Sequence, residues 1–466
     1  MPLFDLPSGS VVAPAGCGKT QTIVDALAHH DGQPVLVLTH TNAGVTALRN
    51  RLARSGVPAE RYRLATIDGW ALKLITLYPG LAGHRNANGA IDYPSTQDAA
   101  IGILEGGAIA AILRATYSRV VVDEYQDCSA RQHRLVRAIA TELPCHVLGD
   151  PLQCIFNFNG EHPDWEGDVL PHFPTVLELD VPHRWTNAGQ QVFGQWILDA
   201  RTELLRGGQI DFRHAPPSVR WLQLPDEAQE RKRDRHAAVR AIRLGAGASL
   251  LVIGDSRPVQ NRLDFARANA GVQVIEPVDM SDLISAATEI QDAAGIDRLN
   301  ATLRFVSLVM AGVAQPLAQR VNALRRGEQD PPATVAEQAC LRFFEEDSLS
   351  SVHAILDVLR VDEGLHVFRP HLLAVMLAAL TRATGRGIDL RTAAIAEREA
   401  QRSIGRPLPR RGIGSTLLLK GLEAEHAVIL NACSMNATNL YVAMSRASTS
   451  LTVLSGQPLM PLRGTE

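Results

Sequence analysis

The sequence contains no uninterrupted apolar run approaching the ~18 residues needed to span a bilayer, and Met1 to Ser10 lack the basic-then-apolar order of a secretory signal. No membrane partner is expected, and a cytoplasmic location is. Cysteine is scarce: Cys17, Cys128, Cys145, Cys154, Cys340 and Cys433 are scattered, with no CxxC pair and no Cys/His spacing that suits zinc. Reduced thiols are the natural reading, and a disulfide framework is not. Neither sign of charge dominates, since 46 Lys and Arg stand against 49 Asp and Glu for a formal charge of −3. Any contact with nucleic acid must then come from a local groove rather than from the field of the whole molecule. There is also no internal repeat of fixed short period.

What is present is a chain of 466 residues, 46% hydrophobic, long enough for two or three domains with real cores. Short β-branched or apolar runs recur at Ser10–Ala13, Val35–Thr39, Val120–Asp123, Cys145–Gly149 and Val176–Asp180, separated by helical or loop segments. That alternation predicts an α/β domain with a parallel sheet. A second series comprises Val219–Leu224, Ser249–Gly254, Val272–Ile275 and, after a long gap, Ser415–Leu419, His426–Asn431 and Leu451–Leu454. Within the gap, Leu299–Ala318 and Leu349–Leu359 space apolar residues at three and four, which predicts packed amphipathic helices. The expected organisation is a first domain over 1–190 with a small insertion near 72–116, a second over 191–280 and 408–466, and a helical insertion over 281–407. The Pro/Arg/Gly-rich Arg402–Gly414 leads the chain back into the second domain.

Ala13–Thr20 reads A-P-A-G-C-G-K-T, after a short apolar strand and before a helix predicted over Gln21–Ala28. Closely spaced glycines let backbone N–H groups converge on phosphates, and the helix N-terminus adds its partial positive charge. Gly16 and Gly18 meet that need. Lys19 is placed to reach the β- and γ-phosphates of ATP, and the Thr20 hydroxyl to ligate Mg²⁺. Ala15, Gly16, Cys17, Gly18, Lys19, Thr20 and Gln21 make up the expected nucleotide-contacting run, with Ala13 where the pattern has its leading Gly.

About a hundred residues on, R-V-V-V-D-E-Y-Q-D over Arg119–Asp127 is a buried strand ending in adjacent carboxylates. Asp123 suits Mg²⁺, and Glu124 suits the orientation and deprotonation of an attacking water. In L-G-D-P-L-Q-C-I-F-N-F-N-G, from Leu148 to Gly160, Gln153 lies just past another strand end, where it could sense the γ-phosphate, and Phe156 and Phe158 alternate with polar residues.

These stretches resemble the superfamily I helicases of the UvrD/Rep/PcrA-like group, and further motifs follow in family order. T-H-T-N-A (Thr39–Ala43) looks like the segment that grips the DNA backbone, which singles out Thr39, Thr41 and Asn42, and A-T-I-D-G-W-A (Ala65–Ala71) looks like the neighbouring T-x-H-x-[FW] segment. P-H-R-W-T-N (Pro182–Asn187) resembles the NYRS box, which makes Arg184 a γ-phosphate contact and puts His183 where an adenine-stacking Tyr is typical. L-K-G-L-E-A-E-H-A-V-I-L (Leu419–Leu430) resembles SKGLEFDxVxL, and L-Y-V-A-M-S-R-A (Leu440–Ala447) resembles LYVALTRA. The resemblance covers about residues 9–190 and 410–455 well.

The resemblance implies two RecA-like domains with ATP and Mg²⁺ between them, Gly421, Glu423 and Arg446 coming from the second. It implies 3′-to-5′ movement along single-stranded or partly duplex DNA, with Phe156, Phe158 and Trp70 stacking on bases. Core phenylalanines at a strand end remain the other reading of Phe156 and Phe158. Some departures bear on substrate grip. No Gln precedes the phosphate-binding loop, Asp68 replaces the His of T-x-H, and Leu417 replaces the usual His of the fifth motif. The short insertions resemble compact helicase subunits of bacterial anti-phage systems such as the Gabija type. A nucleotide-dependent sensor of nucleic-acid ends serving a partner nuclease is therefore the second function class.

Overall fold

The computed structural model describes residues 2–83, 92–155, 162–312, 314–327, 331–404, 408–462 and 464. Two compact units emerge: one of Met1–Arg220, Met435–Thr449 and Pro458–Glu466, the other of Trp221–Ser434 and Ser450–Gln457. The first runs past the boundary at 190 read from the sequence and takes in most of the last 32 residues.

The first unit is built on strands β1 (Gly9–Val12), β2 (Val35–Thr39), β3 (Tyr62–Thr66), β4 (Arg119–Val122), β5 (Cys145–Gly149) and β6 (Thr175–Glu178). They form one sheet in the order β3-β2-β4-β5-β1-β6, every neighbouring pair parallel. Strands β2 and β5 are buried along their whole length, as expected of sheet centres covered on both faces. Five of the six were anticipated to within two residues. The sixth, β3, was not, because an exposed Arg63 interrupts its apolar run at the sheet edge. Helices α1 (Lys19–Ala28), α2 (Asn42–Arg54) and α3 (Ile67–Leu77) follow the first three strands. The loops after β1, β4 and β5 therefore open on one edge of the sheet, where the C-terminal ends of parallel strands gather binding residues.

The second unit carries another six-stranded sheet, ordered Gln273–Val274, Arg411–Gly414, Leu250–Ile253, Ala424–Ile429, Ala447–Ser455 and Val219–Gln223. The first four run parallel. The α/β class with parallel sheets and a helical insertion in the second unit is thus what the structure has. Ser415–Leu419 is a correction. The strand lies just upstream at Arg411–Gly414, and Thr416–Leu419 is a helical turn whose N-terminus Ser415 caps by accepting from the Leu418 amide, a role that competes with extended pairing.

Between the strands lies the helical insertion, whose described helices run from Ser281–Asp292 to Leu390–Ile404. Leu349–Arg360 shows its logic: Val352, Ile355, Leu356 and Leu359 are buried at the i, i+3, i+4, i+7 spacing. The amphipathic stretch Leu299–Ala318 is divided between two helices, Gly295–Val309 and Ala314–Arg325. Gly295–Val309 ends where Met310 and Ala311 pair antiparallel with Val367 and His366, and Gly312 follows at φ 97°. The insertion is fastened to the sheet by a buried ion pair. Arg369, at the start of Pro370–Arg386, donates from Nε and Nη2 to the two carboxylate oxygens of Glu276 at 2.7 and 2.6 Å.

Candidate functional site

The loop between β1 and α1 takes its shape from two glycines. Gly16 has φ 73° and Gly18 has φ 92°, conformations that side chains with a Cβ resist. Space forbids a Cβ at Gly16 as well, since it would lie 2.7 Å from the Trp185 ring and 2.9 Å from the Arg184 Cβ. The Arg184 amide donates to the Gly16 carbonyl at 3.1 Å, and a Cβ on Gly18 would come within 3.3 Å of His183. Pro182–Asn187 therefore packs directly on the loop. Gly18 is the N-cap of α1, so the first-turn amides of Lys19 and Thr20 lie at the positive end of a ten-residue helix.

Lys19 meets the carboxylates that end β4. Its Nζ is 2.6 Å from Glu124 Oε1 and 3.8 Å from Asp123 Oδ1. Burial opposes a charge on Lys19, but Glu124 and then Asp123 outweigh it and hold the ammonium's pKa above its ordinary value. Asp123 is buried too, and desolvation raises its carboxyl to about 6 against the pull of Lys19. Its Oδ1 accepts from the Glu124 amide at 3.0 Å. Glu124 is one of two described non-glycine residues with positive φ, at 56°. A left-handed glutamate is a strained conformation that persists only where its surroundings impose it, and such residues concentrate at functional sites.

Gln126 is among the impositions. Its Nε2 donates to Glu124 Oε2 at 2.6 Å, while its Oε1 accepts from the Asp150 amide at 3.1 Å. Gln153, expected to sense phosphate, donates from Nε2 to Asp150 Oδ2 at 2.9 Å. Ser445 draws two arginines together: Arg184 donates from Nη1 to its carbonyl, and Arg446 from Nη2 to its hydroxyl at 2.7 Å. Both arginines lie in the first unit, as does all of Met435–Thr449. Gly421 and Glu423 lie in the second unit, in the turn between Thr416–Leu419 and Ala424–Ile429, with Gly421 at φ 80°.

The donors suit a hard cation. Thr20 and Asp123 offer oxygen, and among the described residues no three His, Cys, Asp or Glu side chains converge. An ion here would take its other ligands from water and phosphate, as Mg²⁺ typically does. Gln21 is engaged elsewhere, donating to Asp25 at 2.6 Å and accepting from Arg51 at 3.0 Å. Cys17 is buried in the loop, and burial drives its thiol up to about 12.

The expected nucleic-acid contacts fare differently. Trp70 is a correction: at 5% exposure it packs in the core beneath α3 with Leu36, Ile101 and Tyr125, which leaves no face for a base. Thr39 is 3% exposed and ends β2. Thr41 caps α2 by accepting from the Gly44 amide at 3.0 Å, and Asn42 is exposed in its first turn. Asp68 faces inward, accepting from Gln97 at 2.6 Å and Gln132 at 3.0 Å. Phe156 and Phe158 lie outside the described residues. The sequence reading assigned no role to Gln126, Asp150, Tyr441 or Ser445, although all four stand inside the quoted stretches.

Residues 73–165 match the family model of the UvrD/REP helicase N-terminal domain. No curated protein matches the chain. Solved structures similar to it include an arterivirus nonstructural protein 10 (helicase) in complex with DNA, at 10% identity and TM-score 0.36, covering 98% of this chain and 62% of that one. The Pif1 helicase of Candida albicans is similar at 10% identity and TM-score 0.40, covering 97% and 92%. The chain thus spans a little over three fifths of the length of the arterivirus protein.

Proposed function

We propose that the chain is an ATP-hydrolysing helicase or single-strand translocase, acting on single-stranded or partly duplex DNA and moving 3′ to 5′. The observation that carries the chemistry is the meeting of Lys19, Asp123 and Glu124 at one strand edge, with Glu124 held in a strained conformation. The match of residues 73–165 to a helicase domain supports the coupling of that chemistry to nucleic acid.

Mg²⁺ bound there would neutralise charge developing on the phosphates. Lys19 exchanges its carboxylate partners for the β- and γ-phosphates, which frees Glu124 to orient and deprotonate a water. Thr20 and Asp123 would hold the ion. Gln153, tied to Asp150, would contact the γ-phosphate, and Arg184 and Arg446 would stabilise charge formed during transfer. His183, exposed beside Gly18, is positioned for a purine face.

The inward placement of Trp70, Thr39 and Asp68 favours a second reading: a nucleotide-dependent sensor of DNA ends that licenses a partner nuclease without unwinding. One experiment separates the readings: ATP hydrolysis measured with and without single-stranded DNA, duplex DNA and RNA, followed by strand displacement on substrates with 3′ or 5′ tails. A motor hydrolyses ATP faster with single strands and displaces from a 3′ tail. A sensor responds to DNA without displacement. Absence of hydrolysis under every condition overturns both.

A further inference from the structure

Asp150 has no exposed surface, and three side chains surround its carboxylate. Arg201, from helix Gln191–Leu205, donates through Nε at 2.9 Å and stands at 2.9 Å through Nη2. Gln153 donates to the other oxygen. Tyr441, itself fully buried, stands beside the same carboxylate. Tyr441 Oη then accepts from the Ala15 amide at 2.9 Å, a bond across 426 positions of sequence. Through its own amide, Asp150 also reaches Gln126 and so Glu124.

We propose that Tyr441, Asp150 and Arg201 form a positioning brace that holds the phosphate-binding loop in its binding shape before nucleotide arrives. The proposal rests on the reading of that loop as an ATP site. Ala15 is 6% exposed, so its N–H needs a partner inside the protein, and Tyr441 supplies one. That bond engages the Ala15 N–H inside the protein, as the Pro14 carbonyl engages that of Cys17, and leaves phosphate to the amides at the start of the helix, those of Lys19 and Thr20. Arg201 neutralises Asp150, and without it the carboxylate would be a buried uncompensated charge. The brace touches no reacting atom. It lowers the ordering cost of binding, so its loss weakens affinity rather than turnover. Lys19 and Asp123 are held by contacts outside the brace.

Amide hydrogen exchange on the full chain without nucleotide tests the brace apart from any ATPase activity. The Ala15 amide is expected to be protected in wild type and to exchange about tenfold faster in Tyr441→Phe, the factor a lost hydrogen bond of ordinary strength allows. The KM for ATP should rise by about the same factor, while turnover at saturating ATP changes less than about twofold. The ring remains to fill the core, and the melting curve reports whether it does. An unprotected Ala15 amide in wild type overturns the proposal whether or not the variant folds. So does unchanged exchange, or an unchanged KM, in a folded Tyr441→Phe. A variant that exchanges faster in a chain that never hydrolyses ATP leaves the brace standing and sinks the proposed function instead.

Discussion

At the scale of single residues, the proposed function gives opposite duties to Lys19 and Glu124, which one ion pair joins. Lys19→Ala removes a compact cation from the phosphates and leaves buried Asp123 without its counter-charge. The expected outcome is loss of hydrolysis and of most nucleotide affinity, read by a coupled ATPase assay and by nucleotide titration. Glu124→Gln keeps the shape of the side chain but not its basicity. It should bind ATP and Mg²⁺ nearly as wild type and hydrolyse about 10²- to 10⁴-fold more slowly. Failure of a folded Glu124→Gln to bind nucleotide would make Glu124 structural. Both residues were legible in the sequence because each chemistry sits at a fixed offset from a strand end. The positive φ of Glu124 and its tie to Gln126 were not, since they depend on where β5 delivers the Asp150 amide.

Among elements, the helical insertion is tied to the second sheet by a buried pair, beside the Val274 amide that donates to the Phe368 carbonyl at 2.8 Å. Glu276 is 1% and Arg369 3% exposed, and their two hydrogen bonds are in the bidentate form that aligns charge and geometry together. Arg369→Ala leaves a carboxylate buried without a partner and should destabilise the protein by about 3–5 kcal/mol, seen as a lower denaturant midpoint. Replacing both residues by apolar ones of similar volume should recover much of the loss. Equal stability of Arg369→Ala and wild type would show that the pair does not fasten the insertion. Helices such as Leu349–Arg360 could be read in advance because their apolar spacing repeats. The break at Met310–Gly312 could not, because Val367 and His366, 57 and 55 positions away from Met310 and Ala311, supply its antiparallel partner.

For the whole molecule, the proposed function needs a surface that grips nucleic acid. With Trp70 in the core and Asp68 turned inward, the stacking proposal narrows to Phe156 and Phe158. Alanine at both should lower single-strand affinity, with a stacked base worth roughly 1–3 kcal/mol, and abolish DNA-stimulated hydrolysis while basal hydrolysis survives. Fluorescence anisotropy over a salt series reads the affinity, and binding should weaken steeply as salt rises because backbone phosphates are neutralised. A double variant with an unchanged melting curve and wild-type affinity would place both rings in a core. By itself the sequence determined the α/β class, the parallel order of strand and helix, and the loop, acid and arginine stretches. These are local patterns, in which a period, a glycine pair or a strand end suffices. Only the tertiary structure decided which of those residues face inward and which distant groups complete the site. The bond from Tyr441 to Ala15 spans 426 positions, and Arg201 sits in an ordinary amphipathic helix that carries no motif. Hydrogen-bond partners of a buried charge are chosen by the fold that excludes water from it, and no spacing along the chain records that choice.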